Sequence, residues 1–226
     1  PLVDGQEKVS GKARYSADFI PSDCLVGRIF RSPVSHAEIM EVDISDALSL
    51  PGVKAVITGE ETDEPYGVLP IARFEYPMAR DKVRYKGEPV ACVAAVDVET
   101  AQKAIDLIKF KYKELPAYYT SQDAMAEGAV NLHDHRPGNV ERDVDFDLGD
   151  TDNGLTEADL IMEEKYNCAE IAQVQSEPHA AIAEYDSTRE FLTVHASTQV
   201  PYYGHKMLAK VLKMKESQIR MIKPLD

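Results

Sequence analysis

The chain has 226 residues, 44% hydrophobic and 28% charged, with 39 acids against 25 bases and a net charge of −14. That length suits one large domain or two small ones, and the composition excludes a disordered chain, a collagen and a disulfide scaffold, which three cysteines cannot staple. The acidic balance argues against a general nucleic-acid binder, and no stretch approaches the roughly 18–20 apolar residues of a membrane span.

The opening residues 1–20 are polar and turn-rich, without an apolar signal segment; with three widely spaced cysteines they lead to the expectation of a cytoplasmic protein. LVGRIFR (25–31), EIMEVDI (38–44) and VKAVITG (53–59) read as strands. Between the last two, Ser45 can cap a short helix that Pro51-Gly52 ends. Residues 60–80 form a long connection punctuated by Pro65, Gly67, Pro70 and Pro77, either a covering loop or, as long irregular segments often are, a functional one. PVACVAAV within 82–97 is the strongest strand signal, an unbroken apolar run suited to burial on both faces. Asp97 then caps a helix whose Val98, Ala101, Ala104, Ile105 and Ile108 share a face, and KFKYKEL follows as a strand. Were those two strands parallel, the unit would be a right-handed crossover.

Ser121 is expected to cap a short helix that stops at Gly128, and HDHRPGN (133–139) reads as a linker beside a domain boundary. Residues 141–164 hold ten acids and one base, a solvated face or a docking surface for a partner. LTEADLIMEEKYNCAE suggests a helix end running into a strand. HAAIAEYD (179–186) and EFLTVHAS (190–197) suggest a hairpin around Ser187-Thr188. In the next helix Tyr203, Met207, Leu208, Val211 and Leu212 share a face, with Met207 and Met214 as core filler, and SQIRMIK reads as a last strand. Residues 200–226 carry six bases and two acids, opposite in sign to 141–164.

Chemistry-bearing residues are sparse. His133-x-His135 offers two imidazoles around Asp134, but zinc needs further ligands and no CxxC or HExxH lies near, so a solvated turn is the plainer reading. There is no GxSxG elbow, no GxGxxG and no phosphate loop. Three thiolates are too few for an iron–sulfur cluster held by this chain alone. Cys168 has no acidifying neighbour and reads as a buried structural thiol. Glu177-Pro178-His179 places a carboxylate and an imidazole at the head of a strand, within reach of a cleft or simply structural. Ser197-Thr198-Gln199 lies where a strand ends and a helix starts, with Pro201 fit for its first turn. Backbone N–H groups there are free for an oxygen-rich ligand, and Gln199 offers an uncharged amide that can equally tie down a loop.

Six collinear segments carry a resemblance: DGQEKVSGKARYSAD (4–18), RIFRSPVSHAEI (28–39), LPGVKAVITGEE (50–61), DKVRYKGEPVACVAA (81–95), SEPHAAIAEYD (176–186) and STQVPYYGH (197–205). On them the chain resembles the N-terminal part of the large, molybdenum-cofactor-binding subunit of the xanthine dehydrogenase/aldehyde oxidase family. GVLPIARFEYPMARDKVRYKGEP and the CAE…EPHAAIAEYD…STQVPYY combination resemble the 4-hydroxybenzoyl-CoA reductase branch most.

The resemblance implies an α+β fold: an α/β-hammerhead domain over residues 1–130, then the start of a mixed α/β molybdopterin-binding domain over 131–226. It implies molybdopterin with molybdenum, in the cytosine dinucleotide form. It also implies iron–sulfur and FAD-bearing partner subunits and the rest of the molybdenum subunit, in a hetero-oligomer. The Gln of the family's TQ-x-P motif, here Gln199 beside Thr198, hydrogen-bonds an oxo ligand of the molybdenum centre, a contact that polarises without adding charge. The lysines Lys206, Lys210 and Lys213 would face the anionic cofactor. The implied activity is that of a molybdenum hydroxylase-type oxidoreductase on an aromatic or aromatic-CoA substrate, with reductive dehydroxylation in the 4-hydroxybenzoyl-CoA branch. A xanthine or aldehyde dehydrogenase-type hydroxylase is the near alternative, and a non-catalytic scaffold the distant one. The family continues after IKP into GGGFG, whereas this sequence reads MIKPLD, so the catalytic glutamate and substrate pocket are not expected within it and the chain alone is expected to be inactive.

Overall fold

A computed structural model describes residues 2–69, 73–146 and 148–224. Pro70–Ala72, within the 60–80 connection and the GVLPIARF segment, lie outside the described residues, as do Leu225 and Asp226 of the MIKPLD end.

Three small three-stranded sheets carry the fold, with strand orders β1-β5-β3, β4-β2-β6 and β7-β8-β9. The first unites β1 (Val26–Arg31), β3 (Val53–Thr58) and β5 (Pro89–Ala95), all antiparallel to the central β5. The apolar run takes the centre because a strand paired on both edges and covered by a helix meets no water. Val90, Ala91, Val93 and Ala95 are fully buried. Helix α3 (Val98–Leu107) lies over them through Ala101 and Ala104, whose small side chains let helix and sheet approach closely, with Ala47, Val56 and Ile108 completing the core. Asp97 caps α3 as the sequence predicts, its carboxylate accepting from the Thr100 N–H at 2.7 Å. Val98 of the predicted inward face is 52% exposed.

The second sheet holds β2 (Ala37–Asp43), β4 (Lys82–Val83) and β6 (Lys109–Glu114). Strand β6 alternates as the sequence predicts. Phe110 and Tyr112 turn inward, Phe110 edge-on to Phe30 of β1 at 5.9 Å, which joins the two cores. The lysines face acids of β2 and of helix α2 (Ser45–Ser49): Lys109 to Asp46 at 2.6 Å, Lys111 to Glu41 at 2.6 Å and Lys113 to Glu38 at 3.2 Å. Strands β5 and β6, read as a possible parallel pair across a helix, belong to different sheets. The parallel pair is instead β8 with β9, across a helix of the third sheet.

That third sheet is the predicted hairpin of β7 (Ala181–Asp186) and β8 (Phe191–Ala196) plus β9 (Ile219–Ile222), reached through α6 (Pro201–Val211). Leu192, Val194, Ala196, Ala209 and Ile219 form its core, joined by Leu208, Met214 and Met221. The predicted inward face of α6 is kept only in part: Leu208 packs on the core as expected, whereas Tyr203 and Leu212 are 44% and 46% exposed and Ala209, outside the predicted face, is buried. Gly204 lies against β9, where a Cβ would stand 2.8 Å from the Met221 Cε.

Three local readings are corrected. Helix α2 has Ile44 at its cap position, and Asp43 accepts from the Ser45 N–H and hydroxyl, at 3.0 and 2.6 Å, rather than Ser45 capping by its own side chain. Helix α4 (Ser121–Ala124) is capped by Thr120, one residue before Ser121. Residues 158–178, beyond helix α5 (Thr151–Glu157), form no strand and are almost wholly exposed, so Cys168 is an exposed thiol and not a buried one. The alternation of that segment meets no partner strand among the described residues. Within the polar, turn-rich N-terminus the chain forms α1 (Gly5–Val9) and a 3-10 turn, Ser16–Phe19, and the turn packs on β7 and β8 of the third sheet.

Candidate functional site

The Ser197–Val200 link leaves the third sheet between β8 and α6. Pairing runs past the formal end of β8: the Ser197 N–H donates to the Ala180 carbonyl at 3.0 Å, and the Ala180 N–H donates to the Ser197 hydroxyl at 2.8 Å. This fixes the chain up to Ser197. It also sets the Glu177–His179 segment, which leads into β7, at the same end of the hairpin as Thr198 and Gln199. Two stretches singled out separately in the sequence thus converge. His179 is tied to Gln175, whose amide donates to Nε2 at 2.6 Å.

Beyond Ser197 the Thr198 hydroxyl accepts from the Val200 N–H at 3.3 Å, a turn that delivers Pro201 to the first position of α6. Val200 supplies no side-chain cap. A helix leaves its first N–H groups without intrahelical partners, and here Tyr202 and Tyr203 carry them. Gln199 is exposed, and its carboxamide has no protein partner among the described residues. The turn therefore presents a free amide, a hydroxyl and unpaired N–H groups at the positive end of a helix dipole. All of these donors are neutral, a set suited to oxygen atoms of an organic cofactor. Among the described residues no group of three or more His, Cys, Asp or Glu is placed to hold a metal directly.

The predicted basic face is divided. Lys206 lies over the Tyr202 ring at 4.8 Å, and Lys213 is paired at 2.8 Å with Asp63 of the 60–80 connection.

Asp134 and His135 lie on an exposed turn, as expected, but its side chains are not free. Asp134 pairs with Lys82 at 2.9 Å, and both imidazoles pack edge-on to Phe74, at 4.9 and 4.4 Å. Burial and the nearby Arg84 guanidinium hold the His133 imidazole below its ordinary pKa. They border a cleft of about 730 Å³, lined also by Tyr66, Tyr85 and Glu88. Burial pushes the Glu88 carboxyl up, although it accepts the Arg84 N–H, and likewise raises the Tyr66 hydroxyl. Only the length of the 60–80 connection hinted at this cleft, because its walls come from segments distant in sequence.

A further feature escaped sequence reasoning. His195 of β8 stacks on Phe19 of the N-terminal 3-10 turn at 4.9 Å, and the Arg14 guanidinium covers the same ring at 4.2 Å. Neither alternation nor spacing signals a contact between residues so far apart.

Residues 10–116 match the family described as "Aldehyde oxidase and xanthine dehydrogenase, a/b hammerhead domain", and residues 132–225 match the "Molybdopterin cofactor-binding domain". The nicotinate dehydrogenase large molybdopterin subunit of Eubacterium barkeri is 33% identical over 97% of this chain and 51% of its own length. A putative xanthine dehydrogenase molybdenum-binding subunit of Escherichia coli strain K12 is 30% identical over 98% of the chain and 30% of its length. Among solved structures, aldehyde oxidoreductase from Desulfovibrio gigas superposes with a TM-score of 0.84 at 25% identity, over 99% of this chain and 26% of that one. Quinoline 2-oxidoreductase from Pseudomonas putida 86 gives 0.83 at 28% identity, over 98% and 29%. The chain thus spans about half or less of each of these relatives. No helix among the described residues is long and apolar enough to cross a membrane. The collinear segments, the α+β fold and these matches give one result: the chain belongs to the xanthine dehydrogenase/aldehyde oxidase family, with a hammerhead domain followed by the start of a molybdopterin-binding domain.

Proposed function

We propose that this chain, divided near residue 130, forms one wall of the molybdenum-cofactor site of an oxidoreductase, with Gln199 as its contact to the cofactor's oxo ligand. The observation that carries the reading is the unpartnered Gln199 carboxamide at the mouth of α6, set on a turn that Ser197 and Thr198 fix. The amide N–H donates, and being neutral it polarises an oxygen without adding charge to the site. Thr198 orients the turn, and the first N–H groups of α6 would be available to oxygen atoms of the same group. Molybdopterin, in its cytosine dinucleotide form, supplies two-electron exchange with substrate when bound. Iron–sulfur and FAD subunits of a hetero-oligomer that includes the rest of the molybdenum subunit would carry electrons to the site for a reduction, or from it for a hydroxylation.

For the substrate we favour an aromatic thioester of the 4-hydroxybenzoyl-CoA type, supported by GVLPIARFEYPMARDKVRYKGEP and the segments around Cys168 and Gln199. Its reductive dehydroxylation takes up two electrons and two protons and releases water. A nitrogen heteroaromatic is the second reading, favoured by relatives named for nicotinate, xanthine and quinoline.

The test is Gln199→Ala in the holoenzyme. Loss of one oriented donor lowers turnover on the order of 10²-fold, with molybdenum content by metal mass spectrometry unchanged. Undiminished turnover refutes the role of Gln199, and a native complex without molybdenum makes the chain a scaffold. Parallel assays with 4-hydroxybenzoyl-CoA, nicotinate and xanthine separate the two substrate readings.

A further inference from the structure

We infer that Phe19 is a positioning residue for Gln199, acting through its stack on His195; the inference rests on the proposed role of Gln199. Lobe here means the first two sheets with their loops, against the third sheet with α6. Among the contacts that tie the third sheet and α6 to residues from the start of the chain and the first lobe, two bracket the Gln199 turn. Four residues before Gln199, His195 stacks on Phe19 at 4.9 Å with the rings inclined by 24°. After α6, Lys213 pairs with Asp63 at 2.8 Å. Gln199 lies on the stretch between these two anchors.

The anchors are unequal. The Lys213–Asp63 pair is half-exposed on both sides, where water screens it and long side chains resist a fixed geometry. The Phe19 anchor sits on a tight turn. The Asp18 N–H donates to the Tyr15 carbonyl at 2.9 Å, the Tyr15 N–H donates to the Asp18 carboxylate at 2.8 Å, and Ser16 is fully buried. Arg14 donates to the Asp18 carbonyl at 2.7 Å while covering the Phe19 ring, so cation and ring hold each other in place.

The His195 ring depends on this stack. Its Nδ1 is buried without a hydrogen-bond partner among the described residues. A directional hydrogen bond therefore does not set the ring at that atom, and packing must. Without Phe19 an unpaired buried nitrogen gains access to water, which favours a rotated imidazole and a loosened end of β8. Strand β8 ends at Ala196, and the Gln199 turn follows with only the Ala180–Ser197 bonds between. A small displacement there moves a donor whose value lies in its placement. Simple inter-lobe adhesion is the rival account, and it predicts lost stability without a selective effect on the turn.

The experiment uses the holoenzyme with Phe19→Leu, which keeps bulk and apolarity but removes the aromatic face, and Phe19→Tyr, which keeps it. Misplacement of a reacting group by about 1 Å costs up to 10²-fold, so we expect kcat to fall roughly tenfold in Phe19→Leu. KM and molybdenum content stay within about twofold, and Phe19→Tyr restores the rate. Hydrogen exchange supplies a readout independent of turnover: the amides of Thr198 and Gln199 exchange faster in Phe19→Leu while those of Leu192–Val194 do not. If Phe19→Leu does not fold, Arg14→Gln decides, with a smaller change of the same pattern expected. Normal kcat and unchanged exchange at Thr198 and Gln199 overturn the proposal, as does a uniform loss of protection across β8. A fully active Gln199→Ala enzyme overturns the reading of Gln199 itself. An inactive Gln199→Ala beside a fully active Phe19→Leu overturns only the positioning role.

Discussion

Replacing Gly59 and Gly204 in turn with alanine puts the same methyl group against two different obstacles. At Gly59, just after β3, the new Cβ would lie 2.3 Å from the Ala79 carbonyl oxygen, 2.9 Å from its carbon and 3.0 Å from the Arg80 Cγ. Ordinary carbon–oxygen contacts begin near 3.3 Å, so the carbonyl must retreat by about 1 Å. It cannot do so freely, because Ala79 is 6% exposed and its N–H donates to the Pro89 carbonyl at 2.8 Å. Overpacking of this kind costs about 1–3 kcal/mol. Alanine returns about 0.4–1 kcal/mol by restricting the unfolded chain. The clash wins, and Gly59→Ala should destabilise by about 1–2 kcal/mol. At Gly204 the obstacle is the far end of Met221, with Cε at 2.8 Å and Sδ at 2.9 Å, and a thioether can swing aside. Alanine in a helix interior gains about 1 kcal/mol over glycine, so Gly204→Ala should fall within about 0.5 kcal/mol of the parent. Urea unfolding followed by circular dichroism reads both as midpoint shifts at unchanged slope. A Gly59→Ala protein as stable as the parent, or a Gly204→Ala protein damaged equally, would refute the reasoning.

Two further predictions concern titratable groups. Burial holds the Glu88 carboxyl above its ordinary value of 4.5. A raised folded pKa gives stability that is fully present below the unfolded value and is lost as pH rises through the folded one. Glu88→Gln, which keeps an oxygen for the Arg84 N–H, should therefore gain stability over the parent at about pH 7 and little at about pH 4; urea midpoints showing the same difference at both pH values would count against it. Among the thiols, exposed Cys168 should react first with a thiol reagent in the free chain. Cys92 should react last, since burial of that β5 thiol raises its pKa; equal rates by peptide mapping would contradict the placement of both.

The strands and caps were legible where local chemistry decided them. The apolar run of β5, the alternation of β6, the Asp97 cap and the β7–β8 hairpin need only a few neighbouring residues to read. Pairing was less legible. Both β5–α3–β6 and β8–α6–β9 look like strand–helix–strand units, yet only the second closes into a parallel pair, because the partners of β5 come from 26–31 and 53–58. The α6 face was read only in part: Leu208 turns inward as its spacing suggests, but Ala209 is buried while Tyr203 and Leu212 are exposed, because the helix packs on β8 and β9. For the candidate site, the strand-to-helix position of Gln199 followed from the sequence, while the role proposed for it rests on the family resemblance. The Phe19–His195 stack had no local signature at all.

The lysine ladder of β6 has a consequence for the life of the unassembled chain. Strand β6 lies at an open margin of its sheet, where unpaired backbone groups would template a stranger's strand. The paired lysines at 109, 111 and 113 are well exposed, so their ion pairs add little to folding. An incoming strand would have to strip water from three ammonium groups and their carboxylates while finding no apolar surface in return. The ladder thus makes that margin a poor seed for fibrils at high concentration, and it does so most strongly at low ionic strength.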